Sequence, residues 1–230
     1  MLNEKRDAMK IIILGNLGYI GPAVTQQFRL SFPNAELIGF DIGYFAHCLS
    51  HPAHLPEAQL DRQVFGDIRK FPESLLEGVD AVVDLAAISN DPMGDEFEEV
   101  TMEVNYRSAV RVAEMCKRNG VKKFVYASSC SVYGAGSQLS KKEDDDLNPL
   151  TAYARSKIAA ERELEPLADE SFTVTCHRFA TACGYTGRLR LDLALNDFVA
   201  GASIEKNIEI LSDGTPWRPM INVRDMARAL

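Results

Sequence analysis

The feature that most constrains this chain is an apolar run that meets three glycines near the N-terminus. Residues 10–14 read Lys-Ile-Ile-Ile-Leu, and Gly15, Gly18 and Gly21 follow, with Pro22 opening an amphipathic stretch. This order predicts a buried strand, a tight turn and a helix start, because glycine permits the sharp turn and proline is tolerated in a first helical turn. Since a helix N-terminus attracts anions, the turn is suited to holding a phosphate.

An acidic residue at the end of the next apolar run indicates which phosphate ligand the turn binds. Residues 36–40 predict a second strand, and Asp41 follows them about 20 residues after the last glycine, where a carboxylate hydrogen-bonds the ribose of a dinucleotide. The glycine spacing is G-x-x-G-x-x-G, which departs from the commonest dinucleotide fingerprint. No Arg or Lys follows Asp41 closely, so the pattern favours NAD over NADP. We expect Tyr19 and Ile20, inside the turn, to bind NAD together with the three glycines.

Strand and helix patterns alternate along the rest of the chain. Further apolar runs occupy residues 63–65, 80–87, 123–127 and 172–176, and helical patterns occupy 19–30, 96–119 and 152–167. This alternation predicts an α/β fold, a Rossmann-type doubly wound parallel sheet with helices on both faces. We expect a polar extension at 1–8, an NAD-binding domain at 9–177 and a partial substrate-binding region at 178–230.

In such a sheet the ligand lies beyond the carboxyl ends of the strands, so the residues that follow each strand are candidate contacts. The small residues among them suit a close cofactor, although small residues equally allow tight helix–sheet packing. The predicted cofactor contacts after the third, fourth and fifth strands are Asp67, Ile68, Leu85, Ala86, Ala87 and Ser128. Ser89 and Asn90, directly beyond, are candidates for substrate binding.

Three residues carry the predicted chemistry. Tyr153 and Lys157 stand at i and i+4, on one face of a helix that Thr151 can cap. A free tyrosine is a poor base at neutral pH, but a nearby ammonium group and a nicotinamide ring favour its phenolate. Tyr153 could then take a proton from a hydroxyl while hydride leaves for the cofactor, and Ser129 could hold the same oxygen. A Tyr–Lys pair taken alone is more typical of a helix surface.

In combination these motifs resemble the extended short-chain dehydrogenase/reductases, specifically the nucleotide-sugar epimerase/dehydratase group. The resemblance runs from about Lys10 to the last residue. It is carried by Gly15, Gly18, Gly21, Gly66-Asp67-Ile68-Arg69, the segment 80–87, Asn105, the segment 128–134, Tyr153, Lys157 and the segment 218–225. It implies that Asp67 and Ile68 bind the adenine, that Asn105 belongs to the cofactor-binding set and supports the active-site lysine, and that Arg218 grips the diphosphate of a nucleotide sugar.

Departures from the family pattern narrow the implied activity. The 4,6-dehydratases carry Asp-Glu after the catalytic Thr, whereas Cys130 and Ser131 stand here. Thr181 occupies the place of a phosphate-binding Asn, and Asp84 replaces a more usual His. Relatives usually continue past the Arg218 segment, so we expect an incomplete small C-terminal substrate domain.

The resemblance therefore implies an NAD-dependent nucleotide-sugar epimerase. Such an enzyme oxidises the sugar at C4, lets the keto sugar rotate, and returns the hydride to the other face. A 4-ketoreductase or a dehydratase is the alternative within the family. A non-catalytic NAD-binding regulator, or an inactive truncated form, is the alternative of another class.

Composition and charge limit the partners. The net charge of −8 gives no field for nucleic acid, and no apolar run is long enough to span a membrane. Five cysteines without a C-x-x-C pair, and an N-terminus without a signal peptide's apolar segment, favour a cytoplasmic protein. His47, His51 and His54 match no metal-site spacing, so no metal is expected. A homodimer through the helices 96–119 and 152–167 is possible, as in relatives.

Overall fold

A six-stranded parallel sheet forms the centre of the molecule. The computed structural model describes residues 8–51, 53–89, 91–134, 140–210, 212–214 and 218–230. The strands are β1 (Lys10–Leu14), β2 (Glu36–Asp41), β3 (Arg62–Phe65), β4 (Ala81–Asp84), β5 (Lys123–Ser129) and β6 (Thr173–Phe179). Their spatial order is β3-β2-β1-β4-β5-β6, and every neighbouring pair is parallel. The predicted Rossmann-type sheet is confirmed, with its reversal of strand order between β1 and β4.

Helices cover both faces of this sheet, as predicted. They are α1 (Gly21–Ser31), α2 (Asp91–Glu96), α3 (Glu98–Met102), α4 (Ser108–Arg118), α5 (Ala152–Leu164), α6 (Ala194–Ile204) and α7 (Val223–Ala229). Side chains alternate along a strand, so residues of β1 pack into a hydrophobic core on each face of the sheet. Ile11 and Ile13 pack with α1 and α7, whereas Ile12 and Leu14 join the core beneath α4 and α5.

Element boundaries differ from the sequence predictions at sites of close contact. Strand β4 ends at Asp84 rather than Ala87, because the Asp84 carboxylate accepts a hydrogen bond from the Ala86 amide at 2.9 Å and turns the chain. The first helix begins at Gly21 rather than Tyr19. The helix predicted over 96–119 is divided, since a π turn at Glu103–Arg107 separates α3 from α4.

A second, two-stranded parallel sheet was not predicted. Its strands, β7 (Thr181–Cys183) and β8 (Met220–Asn222), have three residues each, too short to show a periodic pattern. Helix α7 follows β8 and packs against α1. The domain boundaries and the homodimer stay predictions. Within the described ranges, none of the helices is long and apolar enough to cross a bilayer.

Candidate active site

A cavity of about 910 Å³ lies where the parallel strands end. Its size suits a ligand larger than a single sugar. Among the residues singled out from the sequence, those that line it are Gly15, Gly18, Tyr19, Ile20, Asp41, Asp67, Ile68, Leu85, Ala86, Ala87, Ser89, Ser128, Ser129, Tyr153, Lys157 and Thr181. The structure thus brings the glycine turn and the Ser–Tyr–Lys set to one cavity.

The glycine turn is built by close backbone approach. Gly15 has a φ of +75°, and a Cβ there would lie 2.6 Å from the Ala86 amide nitrogen. Gly21 does not line the cavity, and its role as a cofactor contact stays a prediction. A Cβ at Gly21 would lie 2.0 Å from the Asn16 carbonyl oxygen, so this glycine lets the turn fold onto α1. Both positions therefore require glycine for steric reasons.

Asp41 joins the end of β2 to the glycine turn. Its Oδ2 accepts a hydrogen bond from the Leu17 amide at 3.0 Å, and its Oδ1 accepts one from the Gly43 amide at 2.7 Å. Each carboxylate oxygen accepts more than one hydrogen bond, so both retain capacity for ribose hydroxyls. The carboxylate lies at the cavity wall, where the sequence predicts the ribose.

Asp67 and Ile68 form a turn beyond β3. Asp67 caps this turn by accepting from the Arg69 amide at 2.9 Å, and it also pairs with the Arg69 guanidinium. The Arg69 hydrogen bonds hold the pKa of the Asp67 carboxyl below its usual range. Ile68 is buried beside it. The acidic turn is therefore pre-formed and ionised at the cavity wall.

Strand β5 and helix α5 position the three predicted catalytic residues. Ser129 ends β5, and its Oγ accepts a hydrogen bond from the Ser131 amide at 3.2 Å. Thr151 caps α5 by accepting from the Ala154 amide at 3.2 Å, as the sequence predicted. Tyr153 lies in the first turn of α5, and Lys157 lies one turn later. All three side chains of the catalytic set line the cavity.

Lys157 is buried, with 2% of its surface exposed. Its Nζ donates to the Ala127 carbonyl at 2.7 Å and lies 5.6 Å from the centroid of the Tyr153 ring. It also lies 4.4 Å from the centroid of the Tyr126 ring. Burial lowers the pKa of Lys157 to about 8, and the Asp84 carboxylate opposes that shift. The ammonium group is therefore held in place beside the phenol.

Asn105 lies behind the cavity and does not line it, so its role in the cofactor site stays a prediction. Its side chain accepts from the Ile88 amide at 2.8 Å and donates to the Ile88 carbonyl at 3.0 Å and to Ser156 Oγ at 3.1 Å. Its backbone carbonyl accepts from the Tyr126 hydroxyl at 2.6 Å. Asn105 thereby fixes the segment after β4 against α5. The residue that it holds, Ile88, lies two positions after the predicted cofactor contact Ala86.

The structure places some of the predicted substrate contacts at the cavity and others away from it. Ser89 and Thr181 line the cavity, and Ser89 Oγ accepts from Arg190 Nη1 at 2.8 Å. Arg218 does not line the cavity. Burial raises the pKa of the Cys130 thiol, and the positive charge of Arg218 opposes that shift. Asn90 lies outside the described residues.

Several contacts around the cavity were missed from the sequence. The Tyr19 hydroxyl donates to the Gly184 carbonyl at 2.5 Å and accepts from Asn196 at 3.1 Å, tying the glycine turn to the segment after β7. Arg188, which also lines the cavity, is buried in an irregular segment and pairs with Glu57 at 2.6 Å. These partners are too distant in sequence to form a recognisable motif.

The described histidines of the histidine-rich segment make local contacts. His51 and His54 approach each other at 3.2 Å through their Nδ1 atoms. In the part of the chain that the structure describes, no three His, Cys, Asp or Glu side chains gather as a metal site would require.

A Rossmann sheet with a glycine turn and a Tyr–Lys pair at one cavity defines the class, the short-chain dehydrogenase/reductases. The profile of the NAD dependent epimerase/dehydratase family matches residues 11–230. The chain belongs to this family, and NAD is accordingly its cofactor.

Individual relatives include both epimerases and other enzymes. The chain is 29% identical to an uncharacterised UDP-glucose epimerase, YtcB of Bacillus subtilis, over 96% of this chain and 71% of that protein. It is 31% identical to the UDP-glucuronate 4-epimerase of Thermodesulfobacterium geofontis over 65% of this chain and 46% of that protein. It is 28% identical to a dTDP-D-glucose 4,6-dehydratase of Dictyostelium discoideum over 70% of this chain and 41% of that protein.

Solved structures show the same fold over most of the chain. MoeE5 in complex with UDP-glucose and NAD has a TM-score of 0.80 and 28% identity, covering 96% of this chain and 70% of that one. The UDP-glucuronic acid 4-epimerase of Bacillus cereus, in complex with UDP-glucuronic acid and NAD, has a TM-score of 0.80 and 26% identity, covering 96% and 71%. The chain therefore spans about 70% of the length of these enzymes.

Proposed function

We propose that this chain is an NAD-dependent nucleotide-sugar 4-epimerase. The observation that carries the proposal is that Ser129, Tyr153 and Lys157 line the same cavity as the glycine turn. The 4-epimerases among the relatives and structural neighbours support the choice of reaction.

The residues present fit NAD. The Gly15 turn leaves no space for a side chain, as expected where a backbone must approach a pyrophosphate closely. Asp41 keeps acceptor capacity for the ribose hydroxyls. Asp67 and Ile68 would hold the adenine, and the cavity reaches from them to Tyr153.

The chain's own residues perform the proton chemistry. NAD, when bound, would supply the acceptor and later the donor of hydride at C4 of the sugar. Tyr153 takes the proton from the C4 hydroxyl and later returns it to the same oxygen. Lys157 supplies the positive charge that favours the phenolate, and Ser129 hydrogen-bonds the sugar oxygen and keeps it aligned.

The positions after Ser129 favour an epimerase over a dehydratase. Cys130 and Ser131 form a turn there, and burial raises the pKa of the Cys130 thiol, which keeps it protonated. These two side chains do not form the acid/base pair that eliminating water requires. A ketoreductase would use Tyr153 and Lys157 in one direction only, so turnover must decide between that activity and epimerisation.

A panel of nucleotide sugars tests the reaction. Purified protein is incubated with UDP-glucose, UDP-glucuronic acid or dTDP-glucose, and the products are identified by proton NMR. We expect C4 epimers to form without added reductant, because an epimerase regenerates NAD in each cycle. A 4-keto-6-deoxy product, or turnover that consumes NADH in proportion to product, would show that the epimerase assignment is wrong.

Cofactor preference tests the assignment of Asp41. We expect calorimetry to show tighter binding of NAD than of NADP, because the Asp41 carboxylate repels a 2′-phosphate. Asp41→Asn keeps the side-chain volume and removes the charge. It should therefore narrow the difference between NAD and NADP affinity by roughly tenfold, as loss of one nearby charge does. Asp61→Asn, at an exposed position paired with Arg29, is the control and should leave the preference unchanged. Equal binding of NAD and NADP by the unaltered protein would contradict the assignment.

A further inference from the structure

Asp84 is a buried carboxylate that the proposed chemistry leaves without a role. It ends β4, pairs in register with Leu14 on one side and Tyr126 on the other, and is 1% exposed. Its Oδ1 accepts from the Ala86 amide, but its Oδ2 is buried and has no hydrogen-bond partner within the described chain. A buried carboxylate oxygen left unpaired is costly, so this group needs a compensating charge.

Lys157 is the cation placed to compensate it. The Lys157 ammonium group lies over the Tyr126 ring. Tyr126, on β5, is the residue that pairs with Asp84 in the sheet. The Asp84 and Lys157 side chains are almost wholly buried, and of the two only Lys157 lines the cavity. Asp84 and Lys157 shift each other's pKa, each favouring the charged form of the other.

The other ionisable groups around Lys157 do not compete for this role. Glu161, one turn farther along α5, already pairs with Arg178 at 2.7 Å and accepts from Ser128. Burial raises the pKa of Cys176 to about 12 and that of Tyr126 well above its ordinary value, so both are neutral at physiological pH.

The remaining groups near the pair are Cys116 and Tyr153. Burial raises the pKa of Cys116 above its ordinary range, so this thiol on α4 is also uncharged. Tyr153 is the proposed base that Lys157 serves. Within the described chain, Asp84 is therefore the carboxylate with an unsatisfied oxygen that acts electrostatically on Lys157.

We propose that Asp84 is a positioning residue that keeps Lys157 protonated and pointed at Tyr153. The inference rests on the proposed function, because it concerns how the Tyr–Lys pair is kept competent. Asp84 touches neither the cavity nor a reacting atom, so it acts only through Lys157.

The expected pH dependence of kcat follows from the directions of the Asp84 and Lys157 pKa shifts. Burial raises the pKa of Asp84 to about 6, so its charge is present above that pH and is lost below it. Burial lowers the pKa of Lys157, and the Asp84 charge restrains that decrease. Removing the charge should therefore let Lys157 lose its proton at lower pH, with no effect below pH 6, where Asp84 is itself neutral.

Asp84→Asn is the variant that tests this proposal. It keeps the side-chain volume and an oxygen for the Ala86 amide while removing the charge. We expect the alkaline limb of the kcat profile to move down by about one pH unit, the shift that a neighbouring charge typically produces. The loss of kcat relative to the unaltered protein should grow with rising pH and vanish near pH 6. A purely structural defect would instead lower kcat equally at every pH. Asp80→Asn, at the exposed position directly before β4, is the matched control and should leave the profile unchanged.

A second measurement needs no turnover. In the unaltered protein with 13C-labelled lysine, the Lys157 resonance, assigned by its loss in Lys157→Arg, should titrate below the ordinary lysine range and show an inflection near pH 6 from Asp84. An ordinary lysine titration without that inflection would overturn the proposal, even if Asp84→Asn fails to fold. If the inflection appears and no nucleotide sugar is turned over, Asp84 still positions Lys157 and only the proposed function fails.

Discussion

Tyr153→Phe should lower kcat for C4 epimerisation by about 10³-fold, or about 4 kcal/mol of transition-state stabilisation, since general acid–base groups contribute on this scale. Phenylalanine keeps the ring and removes only the hydroxyl that exchanges the proton. The ring of Tyr153 lies at the cavity wall, so its packing should survive. The measurement is steady-state epimerisation of the preferred sugar, with product identified by NMR.

Cofactor binding separates this chemical effect from misfolding. The NAD affinity of Tyr153→Phe, measured by calorimetry, should stay close to that of the unaltered protein, because the glycine turn and Asp41 are untouched. Tyr185→Phe is the matched control, because Tyr185 is 63% exposed and does not line the cavity. The base assignment would be wrong if Tyr153→Phe retained kcat, or if Tyr185→Phe lost as much.

The parts of the site that the sequence predicted are local in the chain. The glycine turn is encoded within residues 15–21, and the helical spacing of Tyr153 and Lys157 needs only one turn of α5. Short-range geometry is the same wherever such patterns occur, so these residues could be placed correctly without the structure. The six-stranded sheet follows in the same way from alternating strands and helices.

The parts that were missed depend on pairing across the chain. Tyr19 and Gly184 are 165 positions apart, and no local pattern indicates that the hydroxyl of one reaches the carbonyl of the other. Asp84 stands out from the sequence as a departure from the family pattern, but its burial and its electrostatic effect on Lys157 are visible only in the folded structure. An acidic side chain at a strand end gives no sign of whether water will reach it.

Two of the residues predicted for the cofactor site stand outside the cavity lining for a common physical reason. Gly21 and Asn105 were assigned to the cofactor, yet the first is crowded by Asn16 and the second is hydrogen-bonded to Ile88. Each shapes the wall from behind rather than forming its surface. A motif identifies residues that a site requires, but whether they touch the ligand or support those that do is decided by packing.

Gly15→Ala should abolish tight NAD binding, with a loss of roughly 10²-fold or more in affinity, the scale produced by misplacing a binding group by about 1 Å. The added Cβ would lie 2.6 Å from the Ala86 nitrogen and 2.8 Å from the carbonyl carbon of Leu85. Both neighbours are backbone atoms of the segment that follows β4, so they cannot rotate away. Relief requires that the glycine turn and this segment separate, and both line the NAD cavity.

A second glycine isolates the steric part of this effect. Gly120 has the same φ of +75° as Gly15, but a Cβ there would meet nothing within 4 Å. Gly120→Ala should therefore cost only the strain of a left-handed backbone, about 1–2 kcal/mol of unfolding free energy, and leave NAD affinity unchanged. Thermal unfolding measures the strain that both variants share, and calorimetry with NAD measures the contact that only Gly15 makes. Equal NAD affinity in the two variants would mean that close approach at Gly15 does not shape the cofactor site, and the placement of NAD over the glycine turn would have to be abandoned.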